Sequence, residues 1–221
     1  MKKQLLLAAF VMVTSFGFAQ VQPTFGIRAG IASSSIKGDA PNSLNNLLDF
    51  TNGAVTSSGH TGLFAGGFVS IPLGSVMSVE PSISYAQKGY NLRGELNIKG
   101  AEFIGANAQA KLTTHYIDMP VVLKANMNGF QVFAGPQVSY LAKADLVTTA
   151  GLLGFNLLNK KMDATNQFNR WDAGITGGIG YQFTNGIRIT ADYDRGLSKV
   201  DAGQQFQSHN EGFRIGMDIR L

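Results

Sequence analysis

Eight segments of this chain alternate apolar and polar residues with a period of two. This period is typical of a β-strand that has one apolar and one polar face. Long connections and very short turns separate the segments in strict alternation. The pattern therefore predicts an all-β, antiparallel fold. The predicted strands are residues 24–34, 61–73, 77–88, 114–125, 130–142, 170–183, 187–195 and 211–221.

The connections sort by length. The long ones are residues 35–60, 89–113, 143–169 and 196–210, and the short ones are 74–76, 126–129 and 184–186. Long loops at one end and tight turns at the other are typical of barrels that cross the outer membrane. We therefore expect an eight-stranded antiparallel transmembrane up-and-down β-barrel with four long extracellular loops and three short periplasmic turns.

The start of the chain predicts export. Lys2 and Lys3 precede a short apolar run, and small residues at Gly17 and Ala19 follow it. This order is typical of a secretory signal peptide. We expect a signal peptide at 1–19, cleaved after Ala19, an outer-membrane β-barrel domain at 20–221, and localisation in a bacterial outer membrane.

Composition supports a lipid-facing exterior. Only 14% of the residues are charged and 27 are glycine, whereas a soluble domain carries about 25% charged residues. No basic stripe with interleaved aromatics predicts nucleic-acid binding, and the sequence contains no cysteine. We predict no catalytic, cofactor-binding or metal site. The protein is expected to be a monomer whose partners are outer-membrane lipid and lipopolysaccharide. A protein or surface ligand at the extracellular loops is a further possible partner.

Aromatic residues of the apolar faces fall into two groups by height along the predicted strands. Two aromatic girdles are expected where a barrel wall meets the two membrane interfaces. The predicted outer girdle is Tyr85, Tyr140, Trp171, Tyr193 and Phe213, and the predicted inner girdle is Phe25, Phe130, Tyr181 and Phe183.

Charged residues of both signs occupy the opposite faces. An eight-stranded barrel is just wide enough for side chains to fill it, and buried charges need partners. We therefore expect a structural network that plugs the lumen. A narrow ion path, or catalysis by the pair Asp192 and Asp194, are the alternatives. The predicted network is Arg28, Glu80, Asp118, Lys124, Asp172, Arg188, Asp192, Asp194, Arg214, Asp218 and Arg220.

Proline and glycine at several strand positions need separate explanations. Pro81, Pro120 and Pro136 cannot donate to a ladder, so we expect either bulges or gaps in pairing there.

Strand glycines often mark close approach of another group. The glycines between 174 and 180 are expected to leave room inside the barrel for Phe64, Phe68 or Tyr116.

The long connections differ in character. Residues 89–113 still alternate in places, so these strands are expected to continue as a hairpin above the membrane. Residues 146–158 are unusually apolar for a loop and precede Lys160 and Lys161. The sequence leaves open whether the connection 143–169 is a lid over the barrel mouth or an interface.

His60, His115 and His209 fall at the extracellular rim, but their spacing is not that of metal ligands.

Several strand motifs resemble those of a known family, the PorT-type outer-membrane β-barrel domains of Bacteroidetes. The resembling stretches are residues 84–89 (SYAQKG), 116–124 (YIDMPVVLK), 134–136 (AGP) and 212–217 (GFRIGM). The resemblance implies the barrel fold over the whole mature chain and a link to secretion and gliding machinery. The last residue departs from the pattern, because barrels of this kind often end in an aromatic and this chain ends in Leu221.

The function expected from these features is non-enzymatic. We predict a structural or binding role through the extracellular loops, with a lumen plugged by charged side chains. The alternatives are an accessory component of a secretion or gliding apparatus, a narrow pore, and a small outer-membrane enzyme.

Overall fold

The computed structural model describes residues 22–38, 54–97, 105–152, 155–200 and 208–221. The predicted signal peptide, 1–19, lies outside the described residues. In this part of the chain no helix is long and apolar enough to cross a membrane. The strands are β1 Thr24–Gly38, β2 Ala54–Pro72, β3 Met77–Asn97, β4 Gly105–Met127, β5 Phe130–Leu152, β6 Phe155–Asp163, β7 Trp171–Gln182, β8 Ile187–Gly196 and β9 Ser208–Arg220, with a 3₁₀ turn at Thr165–Gln167.

Eight of the strands form a closed antiparallel ring. Neighbours along the chain pair with each other, β5 pairs with β7, and β1 pairs with β9 to close the ring. Strand β6 stands outside the ring and pairs only with the distal half of β5. The predicted eight-stranded barrel is therefore confirmed, and β6 is an additional strand that the sequence pattern did not reveal.

Five adjacent strands extend well beyond the ring at the end opposite the tight turns. The predicted hairpin above the membrane is present, because β3 and β4 remain paired up to Asn97 and Gly105. The prediction of a loop at 143–169 is wrong for much of its length, since 143–152 continue β5 and 155–163 form β6. The extended edge of β4 gives residues 143–152 their backbone partners, and these residues in turn give β6 its partners. The projecting sheet comprises residues 54–59, 90–97, 105–113, 143–152 and 155–163.

The short turns have the chemistry that their sequences predict. Asn128 and Gly129 both have positive φ, 52° and 92°, which is the type I′ geometry that matches the twist of a hairpin. The amide of Gly129 donates to Asn126 Oδ1 at 3.0 Å. In the last turn Gly186 has φ 86°, and the amide of Ile187 donates to Asn185 Oδ1 at 3.1 Å.

The three in-strand prolines coincide with gaps in the ladder. Near Pro81, Pro120 and Pro136, pairs are missing on one side of the strand, while the register is the same before and after each gap. Shifts of register in the ring occur elsewhere, between Gly59 and Phe64 and beside His115. Of the two explanations offered by the sequence, gaps rather than bulges are correct. A proline can stand in a closed sheet where the ladder is already interrupted.

Glycines of β1 and β9, and not those of β7, make room for the interior phenylalanines. A Cβ added to Gly26 would lie 2.2 Å from Cζ of Phe68, its ladder partner. Gly30 and Gly216 leave similar space beside Phe64, 2.8 Å from ring atoms. The expectation that the glycines between 174 and 180 leave room for these rings was wrong. The nearest atoms to a Cβ at these positions belong to the neighbouring strand backbones and to side chains such as those of Asp192 and Thr190.

The contact between Gly26 and Phe68 generates a prediction. Gly26→Val should destabilise the barrel by about 1–3 kcal/mol, because overpacking a filled interior forces neighbouring groups to move. Gly67→Val is the control, since a Cβ at Gly67 has only the carbonyl oxygen of Gly26 nearby, at 3.5 Å. The measurement is the urea midpoint for loss of the heat-modifiable band on gels. Equal midpoints for both variants would contradict the packing argument.

Candidate functional site

A dense charge cluster lies in the lumen near the end with the tight turns, the end that the lengths of the connections predict to be periplasmic. Glu80 is at its centre. Arg188 binds it with both terminal nitrogens, Nη1 to Oε2 at 2.9 Å and Nη2 to Oε1 at 2.8 Å. Arg28 Nη2 lies 2.5 Å from Oε1, and Lys124 pairs with Oε2. Asp218 accepts from Arg188 Nε at 2.8 Å and from Arg28 at 3.2 Å.

Aromatic and amide groups complete this cluster, which we call the periplasmic layer. The guanidinium carbons of Arg28 and Arg188 lie 4.9 and 4.8 Å from the ring centroid of Phe68, within cation–π range. Gln131 is fully buried and accepts from Arg188 at 3.3 Å. The layer comprises Arg28, Phe68, Glu80, Lys124, Gln131, Arg188, Asp218 and Arg220.

A second cluster, the extracellular layer, lies further along the lumen. Arg214 donates from Nε to Asp192 at 2.7 Å and from Nη2 to Asp194 at 2.9 Å. Its Nη1 lies 3.5 Å from Asp118 Oδ2. Lys88 Nζ lies 2.8 Å from Asp118 Oδ1. The carboxylates of the hypothetical acid–base pair are therefore both bound to one arginine.

Two further groups belong to the extracellular layer. Asp172 accepts from the side-chain amide of Asn210 at 2.9 Å. That amide also lies 3.4 Å from the hydroxyl of Tyr116. Sequence reasoning missed Lys88 as a member of the layer. Its position is even, like those of Glu80 and Ser84, so strand parity alone placed it on the polar face.

The two layers have opposite electrostatic character. The periplasmic layer has four cationic side chains and two carboxylates, whereas the extracellular layer has two cations and four carboxylates. Among the described residues, the buried side-chain atoms without a hydrogen-bond partner follow the same division. They are donors of Arg28, Gln131 and Arg220 in the first layer and acceptors of Asp118, Gln137 and Asp172 in or beside the second; an acceptor of Gln182 at the periplasmic rim is the exception.

An apolar cluster closes the lumen above the extracellular layer. Its buried members are Leu112, Tyr116, Leu141, Ala144 and Ala164, and Tyr90, Leu146 and Phe168 pack against them. The amide of Ala144 donates to Thr165 Oγ1 at 3.0 Å, and the amide of Ala164 donates to the carbonyl of Ala144 at 2.9 Å. The inner face of the 143–169 connection is thus a lid. We call this cluster the apolar cap.

The outer face of the same connection is polar. Asp145 lies 3.0 Å from Lys143 Nζ, 3.6 Å from Lys161 Nζ and 3.8 Å from His115 Nε2. The hydrogen bond from Lys143, together with these positive charges, holds the pKa of Asp145 below its usual range. His115 Nδ1 in turn lies 2.5 Å from the hydroxyl of Tyr85. Asp145 is therefore ionised at neutral pH and orients the lysines around it.

The aromatics assigned to the girdles lie on the outward face of the wall. In the outer group Tyr140 contacts Trp171 and Tyr193 contacts Phe213, each with ring centroids 4.9 Å apart. In the inner group the rings of Tyr181 and Phe183 are 5.0 Å apart. Most of the nine are strongly exposed in the isolated chain. Exposed rings of this kind suit a wall that faces lipid.

The three rim histidines do not come together. His115 binds Tyr85, His209 Nδ1 lies 3.1 Å from the carbonyl of Ser198, and His60 is buried at the top of β2. Among the described residues no group of three or more His, Cys, Asp or Glu side chains is arranged to hold a metal ion.

Comparison with known proteins agrees with this architecture. The sequence model of a family described as "Outer membrane protein beta-barrel domain" matches residues 18–202. The chain belongs to this family. Its location is therefore the bacterial outer membrane. No functionally curated protein matches the sequence significantly.

Several solved structures share the general shape. Neisserial surface protein A is 9% identical, with 90% of this chain and 99% of that chain covered and a TM-score of 0.48. Ail, the attachment invasion locus protein of Yersinia pestis, is 14% identical, with 90% and 99% covered and a TM-score of 0.40. OprG from Pseudomonas aeruginosa is 14% identical, with 91% and 97% covered and a TM-score of 0.37. The resemblance is one of fold.

The contacts of Glu80 generate a second prediction. Glu80→Gln should lower the free energy of unfolding by about 3–5 kcal/mol, because breaking a buried ion pair leaves uncompensated charge. Glu80 is 2% exposed and faces three cations. Urea unfolding in lipid vesicles measures the change.

The control for this prediction is Asp145→Asn. Asp145 also contacts lysines, but these are 50% and 63% exposed, so the expected loss is at most about 1 kcal/mol. Adding Lys124→Met to Glu80→Gln should restore part of the stability by removing one unpaired cation. A Glu80→Gln variant as stable as the native chain would contradict the central place of Glu80.

Proposed function

We propose that this protein is a closed, non-enzymatic outer-membrane barrel that displays its projecting sheet outside the cell as a binding surface. The observation that carries the proposal is the contrast between the two ends of the molecule. Side chains span the lumen at three levels, whereas the sheet continues past the ring and presents side chains to the exterior.

The filling of the lumen supports the closed state. An ion crossing the barrel would have to pass the periplasmic layer, the extracellular layer and the apolar cap in turn. Arg188 binds two carboxylates and Arg214 binds three, and these arginines are 2% and 6% exposed. Opening a path would separate buried ion pairs, which costs several kcal/mol for each charge left without a partner.

The projecting sheet supports the binding role. Each neighbouring pair of its strands from β2 to β6 is joined by a backbone ladder, so it is an ordered extension of the wall. Its inner face is anchored by the apolar cap, and its outer face carries exposed polar groups. A rigid scaffold that positions exposed groups is typical of recognition surfaces.

Tyr85, His115 and Asp145 form the arrangement closest to a catalytic one among the described residues. His115 Nε2 lies 3.8 Å from Asp145, too far for a hydrogen bond. Asp145 is also occupied by Lys143. The backbone around Tyr85 and His115 is engaged in ladder pairs, so no amides are grouped to stabilise an oxyanion. These contacts support a structural role in which His115 holds the hydroxyl of Tyr85 in place.

Narrower features belong to the same proposal. The mature chain begins at Gln20 after cleavage, is monomeric, and contacts lipopolysaccharide and surface ligands from its extracellular side.

The strand motifs at 84–89 and 116–124 also favour a PorT-type protein of Bacteroidetes as a second candidate, acting as an accessory part of a secretion or gliding apparatus. N-terminal sequencing tests the cleavage site. Co-purification with a large envelope complex would favour the second candidate.

Planar bilayer recording tests the closed lumen. The purified barrel should give no steady conductance steps, because the layers and the cap leave no water-filled path. Heat-modifiability of the same sample provides the control, since it verifies that the inserted protein is folded. Reproducible steps from a fully folded sample would contradict the closed state and favour the pore.

Lipid hydrolysis assays test the absence of enzymatic activity. The folded protein should release no fatty acid or phosphate from phospholipid or lipid A, because Tyr85 and His115 lack an oxyanion site. His115→Gln is the matched variant. Turnover that is present in the native chain and lost in His115→Gln would contradict the proposal and favour an outer-membrane enzyme.

A further inference from the structure

We infer that the outer face of the projecting sheet binds the phosphate groups of lipopolysaccharide in the surrounding outer leaflet. The inference rests on the proposed function, because it gives the displayed sheet a ligand. Four cationic side chains on four consecutive strands carry it. They are Arg93 of β3, Lys111 of β4, Lys143 of β5 and Lys161 of β6, which together we call the basic face.

The ladder register places these side chains on one face. Val147 pairs with Lys111 on one side and with Lys161 on the other, so the two lysines share its orientation. They are two strand spacings apart, about 10 Å. Lys143 lies four residues before Val147 on the same face of β5, and Arg93 pairs with β4 two residues before Lys111. All four cations are exposed.

The opposite face of the sheet is different. Leu112, Ala144 and Leu146 point the other way and form part of the apolar cap. Lys160 pairs with Thr148 on that side of β6. Basic groups are thus concentrated on the side that faces away from the barrel axis and toward the membrane plane around it. A partner for them must approach from the leaflet side.

The height of the basic face above the membrane fits lipopolysaccharide. Ile117 pairs with both Tyr85 and Tyr140 of the outer girdle, which marks the edge of the hydrocarbon. Lys111 is six residues beyond Ile117, about 20 Å along the strand. With a strand tilt of about 35–45°, this is about 15 Å above the girdle. Lys143 is closer to the girdle. The basic face therefore spans the zone of phosphorylated sugars directly above the acyl chains.

The local electrostatics leave the lysines available for a ligand. Lys143 and Lys161 lie on either side of Asp145, at 3.0 and 3.6 Å, so one carboxylate holds their ammonium groups close together. Each ammonium has three donors and keeps some free for an external acceptor. The other carboxylate of this face, Asp163, accepts from the backbone amide of Thr165 at 2.8 Å.

The net charge of the face remains positive. Among its described side chains, four cations stand against the two carboxylates of Asp145 and Asp163. A cluster of separated ammonium groups and one guanidinium suits several phosphates spread over a sugar headgroup. A lipid that already surrounds the wall needs little further ordering to reach them.

The test titrates bisphosphorylated lipid A into the folded protein in dodecyl maltoside, a detergent without phosphate. Trp171 is the only tryptophan of the chain and contacts Tyr140 of β5, so its fluorescence reports on this side of the wall. The variant Lys111→Gln/Lys143→Gln/Lys161→Gln should bind lipid A about tenfold or more weakly. Binding by the native chain should also weaken as salt is raised.

The chain offers a matched control for the charge change. Lys160→Gln removes the same charge from the neighbouring position, but from the other face of β6. We expect Lys160→Gln to bind lipid A as the native chain does, and Lys161→Gln alone to bind more weakly. Dephosphorylated lipid A should bind weakly to all of them. Heat-modifiability verifies that each variant is folded.

Three results would overturn the inference. The first is equal affinity of the native chain for phosphorylated and dephosphorylated lipid A. The second is an equal loss of lipid A affinity in Lys160→Gln and Lys161→Gln. The third is binding of a soluble sulfated polysaccharide as tightly as lipid A, which would make the partner an extracellular glycan. These failures are distinguishable from failure of the proposed function. Conductance of the native barrel would overturn the closed state while leaving phosphate binding measurable, and loss of phosphate binding would leave the closed barrel unaffected.

Discussion

The structure depends on the closed backbone pairing of the part of the wall that faces lipid. Hydrocarbon offers no hydrogen bonds, so an open sheet edge at that depth would be very costly. The ladder between β1 and β9 removes the last edge, from Gly26 with Arg220 to Gly38 with Ser208. The three prolines lie at interruptions that leave the register unchanged, so the ring tolerates them without slipping.

Closing a ring of eight strands leaves an interior that must be filled by side chains. The chain fills it mainly with charges, and their compensation requires residues from nearly every strand. Glu80 binds cations from β1, β4 and β8, and Arg214 binds carboxylates from β4 and β8. The same contacts that complete the packing also fix the relative positions of distant strands, so stability and closure of the lumen have one origin.

Above the membrane edge the constraint changes, because water can pair with free backbone groups. The ring is no longer required, and the strands from β2 to β6 continue furthest, while β1 and β9 stay paired to Gly38 and Ser208. Their inner face still needs cover, which the apolar cap provides. Their outer face is free to carry charge. The ring thus spans the bilayer, and the strands beyond it form a separate surface that can bind a ligand.

The sequence by itself determined the eight strands of the ring, the location of the tight turns, and which residues face outward or into the lumen, because a period of two fixes the face of each residue once a strand is recognised. It left open which charges meet. Pairing of Arg188 with Glu80, 108 positions away, depends on ring closure. Strand β6 was also decided only by tertiary structure, because its formation depends on pairing with the extension of β5 and the segment has no strong sequence pattern of its own. The division of the 143–169 connection into a lid and a basic face was decided in the same way. The separate outcomes at Lys160 and Lys161 follow from register, which adjacent sequence positions do not reveal.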